Sequence, residues 1–428
     1  MKKKLVFLVL GIFIFGNFCN KSVRNNHNIV VIVIDALRSD HLPFYGYKVN
    51  TAPFLNKLSK ESVVFEKTFA AAPWTSPATA SIFTSLYPFQ HKVFMVLLAF
   101  LQAKKINPEI KINRLSDEIE TMPEFLKKYG YLTFGVADNV NIHKKEGFHQ
   151  GFDILETYNY KQAEHTYKRV KALSKKYFKK KYFLYIHFMD THAPYFRREP
   201  WYIDRGNDRY NITISSYDSE ISYVDKYISK LYKELGWDKN TLLFITSDHG
   251  EQFWEHGKMG HGWSVYRQEI QVPLLIHFPD KKSKRIKVNV STIDILPTIR
   301  DYLGIYLSKV YSGVSLLNII KDENKYKNRV LFSHLYKILR TITEYRSIIY
   351  KNYQLVWKLP KKRSLYNIKF DKIEKNNIIN QVEKRLVSFL INKFVNFYKT
   401  CKKYKGVESS YKLTKEKIKK LKSLGYVN

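Results

Sequence analysis

The run Ile29-Val30-Val31-Ile32-Val33-Ile34 constrains the fold more than any other stretch: it is unbroken β-branched sequence with no polar alternation. Such side chains are stiff at χ1 and suit a pleated strand. A strand wet on one face would alternate, so a continuous apolar run reads as a strand covered on both faces, as in a parallel sheet between helices. The run stops abruptly at Asp35. Two later runs do the same: Tyr182–Phe188 delivers Asp190-Thr191-His192, and Thr241–Thr246 delivers Ser247-Asp248-His249-Gly250. In open α/β sheets, ligands bind beyond the carboxyl ends of the strands, so these acidic and histidine-bearing ends point to one site.

The intervening sequence supports an α/β reading. Helices are predicted over Pro53–Ser62, Pro77–Thr84, Met122–Tyr129, Ser219–Leu235 and Asp294–Leu303, the third and fourth closed by Gly130 and Gly236 and the last by Gly304. Further strands are predicted over Tyr131–Val136 and Val272–Phe278. Beyond residue 310 the character changes to short strand-like runs (Val330–Phe332, Ser347–Tyr350, Gln354–Lys358) and a basic helix over Asn377–Lys399. The predicted organisation is an export segment over 1–19, a catalytic α/β domain over 25–310, and a C-terminal α+β domain over 311–428 with a basic helical tail.

With 73 Lys+Arg against 38 Asp+Glu, the formal net charge is +35. That excess alone would suggest a nucleic-acid binder, but the lysines form no single block and no recognition motif accompanies them, so no nucleic-acid partner is expected. The two cysteines exclude a disulfide scaffold and a Cys-based zinc module. Met1-Lys2-Lys3-Lys4 followed by the apolar run Leu5–Gly16 reads as an export signal, too short to span a bilayer. Cys19 stands where a lipoprotein is acylated, although Phe18 is larger than the residue usual there. The expected location is periplasmic or cell-surface, with a lipid anchor at Cys19 attaching the chain to the membrane.

The strand ends carry recognisable chemistry. Asp35, Asp248 and His249 could offer two carboxylates and an imidazole to one divalent cation. Thr75 precedes a helix carrying Pro77 in its first turn, and a hydroxyl there is placed to act as a nucleophile beside free N–H groups. A metal beside it would lower the hydroxyl's pKa. His192, His256 and His261 are candidates to protonate a leaving group or bind anionic oxygens. Each feature has a plainer structural use, as a cap, a turn or a solvated side chain.

Together the motifs resemble the sulfatase family within the alkaline phosphatase superfamily. The matching stretches are Val33–His41 with Tyr45-Gly46-Tyr47, Pro73–Ser81 with Thr84–Pro88, Gly147-Phe148 with Gly151-Phe152-Asp153, and Met189–Tyr195. Tyr217–Ile221 with Val224-Asp225 follows, then Thr246–Glu251, Glu255-His256-Gly257, Gly260-His261-Gly262 and Val272-Pro273-Leu274. Leu365-Tyr366-Asn367 with Asp371 and Glu374 resembles the C-terminal signature. The resemblance implies a large mixed, mainly parallel sheet flanked by helices, a smaller four-stranded C-terminal domain, and one divalent metal. It places Asp35, Thr75, Asp248 and His249 at metal-site positions, with Thr75 as nucleophile. His192 and His261 fall where the family contacts the transferred group or leaving oxygen, and His91 and His256 at the pocket rim.

The departures from the pattern are informative. Sulfatases carry Cys or Ser at the nucleophile position, matured to formylglycine, with Arg four residues later; here Thr75 and Thr79 stand there, so no formylglycine is expected. Thr75 instead resembles the nucleophile of phosphoethanolamine and phosphoglycerol transferases in the same superfamily. That favours a metal-dependent hydrolase or transferase with phosphoester or phosphodiester substrates over a sulfate-ester hydrolase, on a glycan or lipid headgroup, with a catalytically silent binder of anionic glycans as a further alternative. Ala36 and His249 replace a second Asp and an Asn, exchanging oxygen for nitrogen ligands, which favours zinc or manganese over calcium. Lys92 replaces a usual Gly and opens an apolar stretch over Val93–Gln102.

Overall fold

The structure, a computed structural model, describes residues 26–94, 112–305, 311–338 and 342–409. The export segment with Cys19, most of the stretch Val93–Gln102 and the lysine-rich sequence beyond 409 lie outside the described residues. The large sheet contains β1 (Asn28–Ile34), β2 (Val63–Phe69), β3 (Leu132–Ala137), β4 (Ile154–Thr157), β5 (Tyr182–Phe188), β6 (Thr241–Thr246), β7 (Gln271–His277) and β8 (Lys284–Ile286). Their order is β8-β2-β7-β6-β1-β5-β3-β4, with the short strand Val290–Ser291 also on β2. All pairings are parallel except those of β7, which runs antiparallel to both β2 and β6.

The central position of β1 explains its composition. Ile29, Val31 and Val33 enter one apolar core and Val30, Ile32 and Ile34 enter another, as the period of two requires. The first core is closed by the helices Thr75–Thr84, Met122–Lys128 and Ile295–Tyr302; the second by Pro53–Ser59, Gln162–Tyr177 and Arg209–Glu234. The mixed α/β architecture expected from the sequence is therefore observed.

Several boundaries differ from the prediction. The helix expected over Pro53–Ser62 ends at Ser59, because β2 begins at Val63. The helix expected from Ser219 begins at Arg209, capped by Asp208 accepting from Asn211 N. Its opening turns are exposed, including Tyr210 and Ile212, and so carry no apolar period. The last helix spans Lys384–Thr400; the preceding residues instead form a turn in which Asn377 Oδ1 accepts from Leu365 N. Residues 311–326, assigned to the second domain by composition, place Leu316 and Ile319 in the core of the large sheet.

The C-terminal sheet is an antiparallel meander, Val330–Ile338, Ile342–Tyr350, Tyr353–Lys358 and Lys362–Asn367. One face, including Ile348, Leu355 and Leu365, packs with Leu390 and Phe394 of the last helix. The other, including Leu331, Ile349 and Val356, packs against Phe69, Trp74, Val265 and Ile270 of the large domain. Hydrogen bonds cross this seam, among them His334 N to Ala71 O at 2.9 Å and Gln354 Nε2 to Val265 O at 2.7 Å.

Phe83 is fully buried and meets Phe148, Phe152 and Tyr185. Phe83→Ala is expected to cost about 3–5 kcal/mol in denaturant unfolding, whereas Phe370→Ala, at an exposed ring, should change stability by no more than about 0.5 kcal/mol. Equal effects would contradict the assigned core.

Candidate functional site

The site is assembled where β6, β1, β5 and β3 end side by side. Asp35 follows β1 directly, and its N–H donates to Phe188 O at 2.9 Å. The chain then turns sharply through Ala36, at φ +56°. Tyr217 OH holds that turn, donating to Ala36 O and accepting from Arg38 N, each at 2.8 Å. Thr191 Oγ1 donates to Asp35 O at 2.5 Å, tying the loop after β5 to the loop after β1.

Asp35 Oδ2 is heavily engaged. It accepts from Asn139 Nδ2 at 2.6 Å and His187 Nε2 at 3.1 Å, and Thr75 Oγ1 lies 3.4 Å away. His187 Nδ1 in turn accepts from Tyr185 OH at 2.8 Å, which leaves the proton on Nε2. Burial would raise the Asp35 carboxyl, but the His187 hydrogen bond and the charge of His249 pull it well below the usual range.

Asp248 and His249 follow β6. His249 Nδ1 donates to Gly250 O at 2.9 Å, which turns Nε2 inward. That nitrogen lies 3.4 Å from Asp35 Oδ1, 3.5 Å from Asp248 Oδ2 and 3.4 Å from Thr75 Oγ1. Only glycine fits at position 250, since an added Cβ would lie 2.1 Å from Gln268 O. Burial, and next the Asp35 charge, push the Asp248 carboxyl up. Burial disfavours the charged His249, yet Asp248 and Asp35 outweigh it and raise its pKa.

This arrangement fits a divalent cation. Among the described residues, Asp35, Asp248 and His249 are the one group of three or more His, Cys, Asp or Glu with ligand atoms all within 4.8 Å. Asp35 Oδ1 and Asp248 Oδ2 are buried without a hydrogen-bond donor. Two such oxygens facing one imidazole nitrogen leave a concentration of negative charge that a cation would offset.

Thr75 lies in the first turn of the Thr75–Thr84 helix, which starts two residues before the predicted Pro77. Its side chain does not cap the helix; the N-cap is Trp74, packed into the seam with the C-terminal sheet. The hydroxyl thus faces the cluster, near the helix's unpaired N–H groups.

Two more histidines join the cluster. His192 and His261 rings are 4.9 Å apart, and His261 lies 4.2 Å from His249. His192 Nδ1 donates to Ala193 O at 2.6 Å; burial pushes its pKa down to about 4, so the ring is neutral at ordinary pH. His261 Nδ1 is 2.9 Å from Glu251 Oε1, while Glu251 Oε2 accepts from Tyr195 OH at 2.7 Å. Burial pushes the Glu251 carboxyl up to about 7.

The rim position expected for His91 is corrected by the structure. His91 is fully buried behind the Thr75 helix, its Nε2 3.0 Å from Ser81 Oγ and its Nδ1 accepting from Val93 N. Burial holds its pKa at about 3. His256 stacks on Tyr266 with centroids 3.8 Å apart, toward the C-terminal sheet. Conversely, Asn139, His187 and Glu251 touch the cluster without having been singled out. His187 is a polar residue in the otherwise apolar strand Tyr182–Phe188, and Asn139 lies just past another strand end; both signals are present in the sequence.

Comparison with known proteins is consistent with this geometry. The family model described as "Sulfatase" matches residues 27–305, and that described as "N-sulphoglucosamine sulphohydrolase, C-terminal" matches residues 255–400. The chain is similar to arylsulfatase K of Bos taurus, 39% identical over 101 residues, covering 22% of this chain and 18% of that protein. It is also similar to the ulvan-active sulfatase of Formosa agariphila, 24% identical over 357 residues, covering 71% of this chain and 66% of that protein. Both matches thus span less than two thirds of the relative's length. Among solved structures, the phosphonate monoester hydrolase of Agrobacterium radiobacter superposes with a TM-score of 0.68 at 15% identity, covering 87% of this chain and 95% of that one, a likeness of fold.

If the cluster binds a cation, zinc or manganese at about one hundred times its dissociation constant should stabilise the protein by about 2.7 kcal/mol. Chelator should reverse the effect, and Asp248→Asn should remove it. A melting temperature indifferent to metal in the parent chain would contradict the assignment.

Proposed function

The chain belongs to the sulfatase family, and on that premise we propose that it hydrolyses an anionic ester through Thr75, phosphate mono- or diesters ahead of sulfate esters. The observation carrying this reading is the position of Thr75 Oγ1, 3.4 Å from both Asp35 Oδ2 and His249 Nε2. Asp35 Oδ1, Asp248 Oδ2, His249 Nε2 and Thr75 Oγ1 would hold a divalent cation, zinc or manganese by this donor set, which would supply Lewis acidity to the hydroxyl and to the substrate's oxygens.

In the proposed reaction Thr75 Oγ1 gives up its proton to solvent and attacks phosphorus. The bond to the leaving alcohol breaks with its electron pair, and His261 Nε2 protonates that oxygen. Glu251 stabilises the imidazolium beforehand. Water then attacks the phosphorus of the phospho-threonine, giving a proton to the now neutral His261, while the bond from phosphorus to Thr75 Oγ1 breaks with its electron pair and Oγ1 regains a proton from solvent. His192, neutral and with Nδ1 held by Ala193 O, presents Nε2 as a hydrogen-bond acceptor. The helix N–H groups stabilise the developing oxyanion.

Threonine is what separates the two ester classes. It lacks the second hydroxyl of a hydrated formylglycine, so a sulfate cannot be expelled from it by elimination. A phosphoryl group on threonine can be displaced at phosphorus. A second reading, cleavage of a sulfate ester, is favoured by the relatives, which include the ulvan-active sulfatase and arylsulfatase K. The substrate group would sit on a glycan or lipid headgroup, reached by an exported chain anchored at Cys19.

The test is a parallel assay of aryl phosphate, phosphodiester and aryl sulfate. Thr75→Ala should lower turnover by on the order of a thousandfold or more, with Thr75→Ser retaining part of it. Sulfate turnover lost with Thr75, without phosphate turnover, would select the second reading; no turnover of any ester would leave an anion binder.

Glu251→Gln should lower kcat/KM by roughly ten- to a hundredfold. Removing the carboxylate lowers the pKa of the acid, so the alkaline limb of the pH profile should move to lower pH. An unmoved limb would contradict the Glu251–His261 pairing.

A further inference from the structure

A cavity of about 570 Å³ opens where the large sheet meets the C-terminal sheet, and none of the residues assigned to the reaction lines it. Its walls carry Arg38, Lys67, Arg267, Arg285, Lys369 and Lys372 against the acids Asp40 and Glu66. Two of these cations are already compensated: Arg38 pairs with Asp40 and Glu255, and Arg285 with Glu66 at 2.9 Å. The other four make no ion pair among the described residues. Lys67 Nζ donates to Asn352 Oδ1 at 3.0 Å, and Arg267 donates to Gln271 Oε1 and Ile368 O, each at 2.9 Å. These are neutral acceptors.

Desolvation makes this imbalance significant. Burial lowers the pKa of both Lys67 and Arg267, and the nearby charges of Glu66 for Lys67, and of Glu374, Asp40 and Asp371 for Arg267, offset that cost only in part. The closest acid, Glu374, binds Arg267 N at 2.6 Å, but burial pushes its carboxyl up to about 8, which leaves it largely neutral. Lys369 and Lys372 come from the loop after the last strand of the C-terminal sheet, docked by Gln268 Nε2 donating to Lys372 O at 3.1 Å. The two domains therefore bring four cations without an ion-pair partner among the described residues around one cavity, whose volume exceeds that of a single tetrahedral oxyanion.

We propose that this seam is a second anion site, taking a ligand that carries two or more sulfate or phosphate groups, with Lys67, Arg267, Lys369 and Lys372 as its recognition charges. The site is separate from the chemistry at Thr75 and does not depend on it.

The probe is sucrose octasulfate, titrated calorimetrically into the full chain carrying Thr75→Ala, which prevents turnover. Adding Lys67→Gln, Lys369→Gln and Lys372→Gln should weaken binding at least about tenfold. The pair Lys369→Gln and Lys372→Gln, which spares the Asn352 contact, should show a smaller loss in the same direction. Neutralising Lys384, Lys393 and Lys399 on the exposed last helix should leave affinity unchanged and so exclude a non-specific effect of net charge. With Thr75 intact, the triple variant should turn over a small aryl ester normally. Affinity unchanged in the triple variant, or lowered equally by the helix control, would overturn the site. Displacement of the probe by inorganic sulfate at equal total sulfate would overturn its preference for a multiply charged ligand.

Discussion

The structure depends on one buried carboxylate. Asp35, at the end of the central strand, is removed from water and kept charged by Asn139 and His187, donors from the neighbouring β3 and β5 sides of the sheet. Burying such a charge without partners costs several kcal/mol, so these contacts fix both the charge and its direction. With Oδ2 occupied, Oδ1 is left facing Asp248 and His249. The strand order β6-β1-β5-β3 thus explains why one carboxylate can be held on one oxygen and offered on the other.

The second domain bears on the same arrangement through Trp74. Its ring lies in the apolar seam with Leu331, Ile349 and Val356, and the next residue is Thr75. The placement of the hydroxyl is therefore linked to docking of the C-terminal sheet, although no residue of that sheet belongs to the Asp35–Asp248–His249 cluster. The same seam holds the basic cavity, so its charges belong to the assembly of both domains. The net charge of +35 is better understood locally: a positive surface field aids capture of anionic ligands, and the cations lining the seam cavity are the ones proposed to bind one.

Much of this was legible in the sequence, and the reasons differ between residues. The run ending in Asp35 and the one ending in Asp248-His249 declare buried strands and their polar ends together. Asn139 and His187 are less plainly marked in the sequence, because their role exists only through contact with Asp35, across strands distant in sequence. His91 and His256 stand beside motif residues, but one is packed behind the Thr75 helix and the other against Tyr266. The first turns of Arg209–Glu234 are not legible in the sequence, because exposed helix turns have no apolar period to read. The location of the chain rests on its first nineteen residues, outside those described; among the described residues no helix is long and apolar enough to cross a membrane.

The central claim is that Thr75 carries the transferred group. It is tested most directly by rapidly quenching the metal-loaded enzyme during turnover of a phosphodiester and sequencing the peptide containing residue 75 by mass spectrometry. The account predicts a phosphoryl adduct on Thr75 that forms and decays at rates compatible with turnover. Steady turnover with Thr75 unmodified at every time point would contradict it.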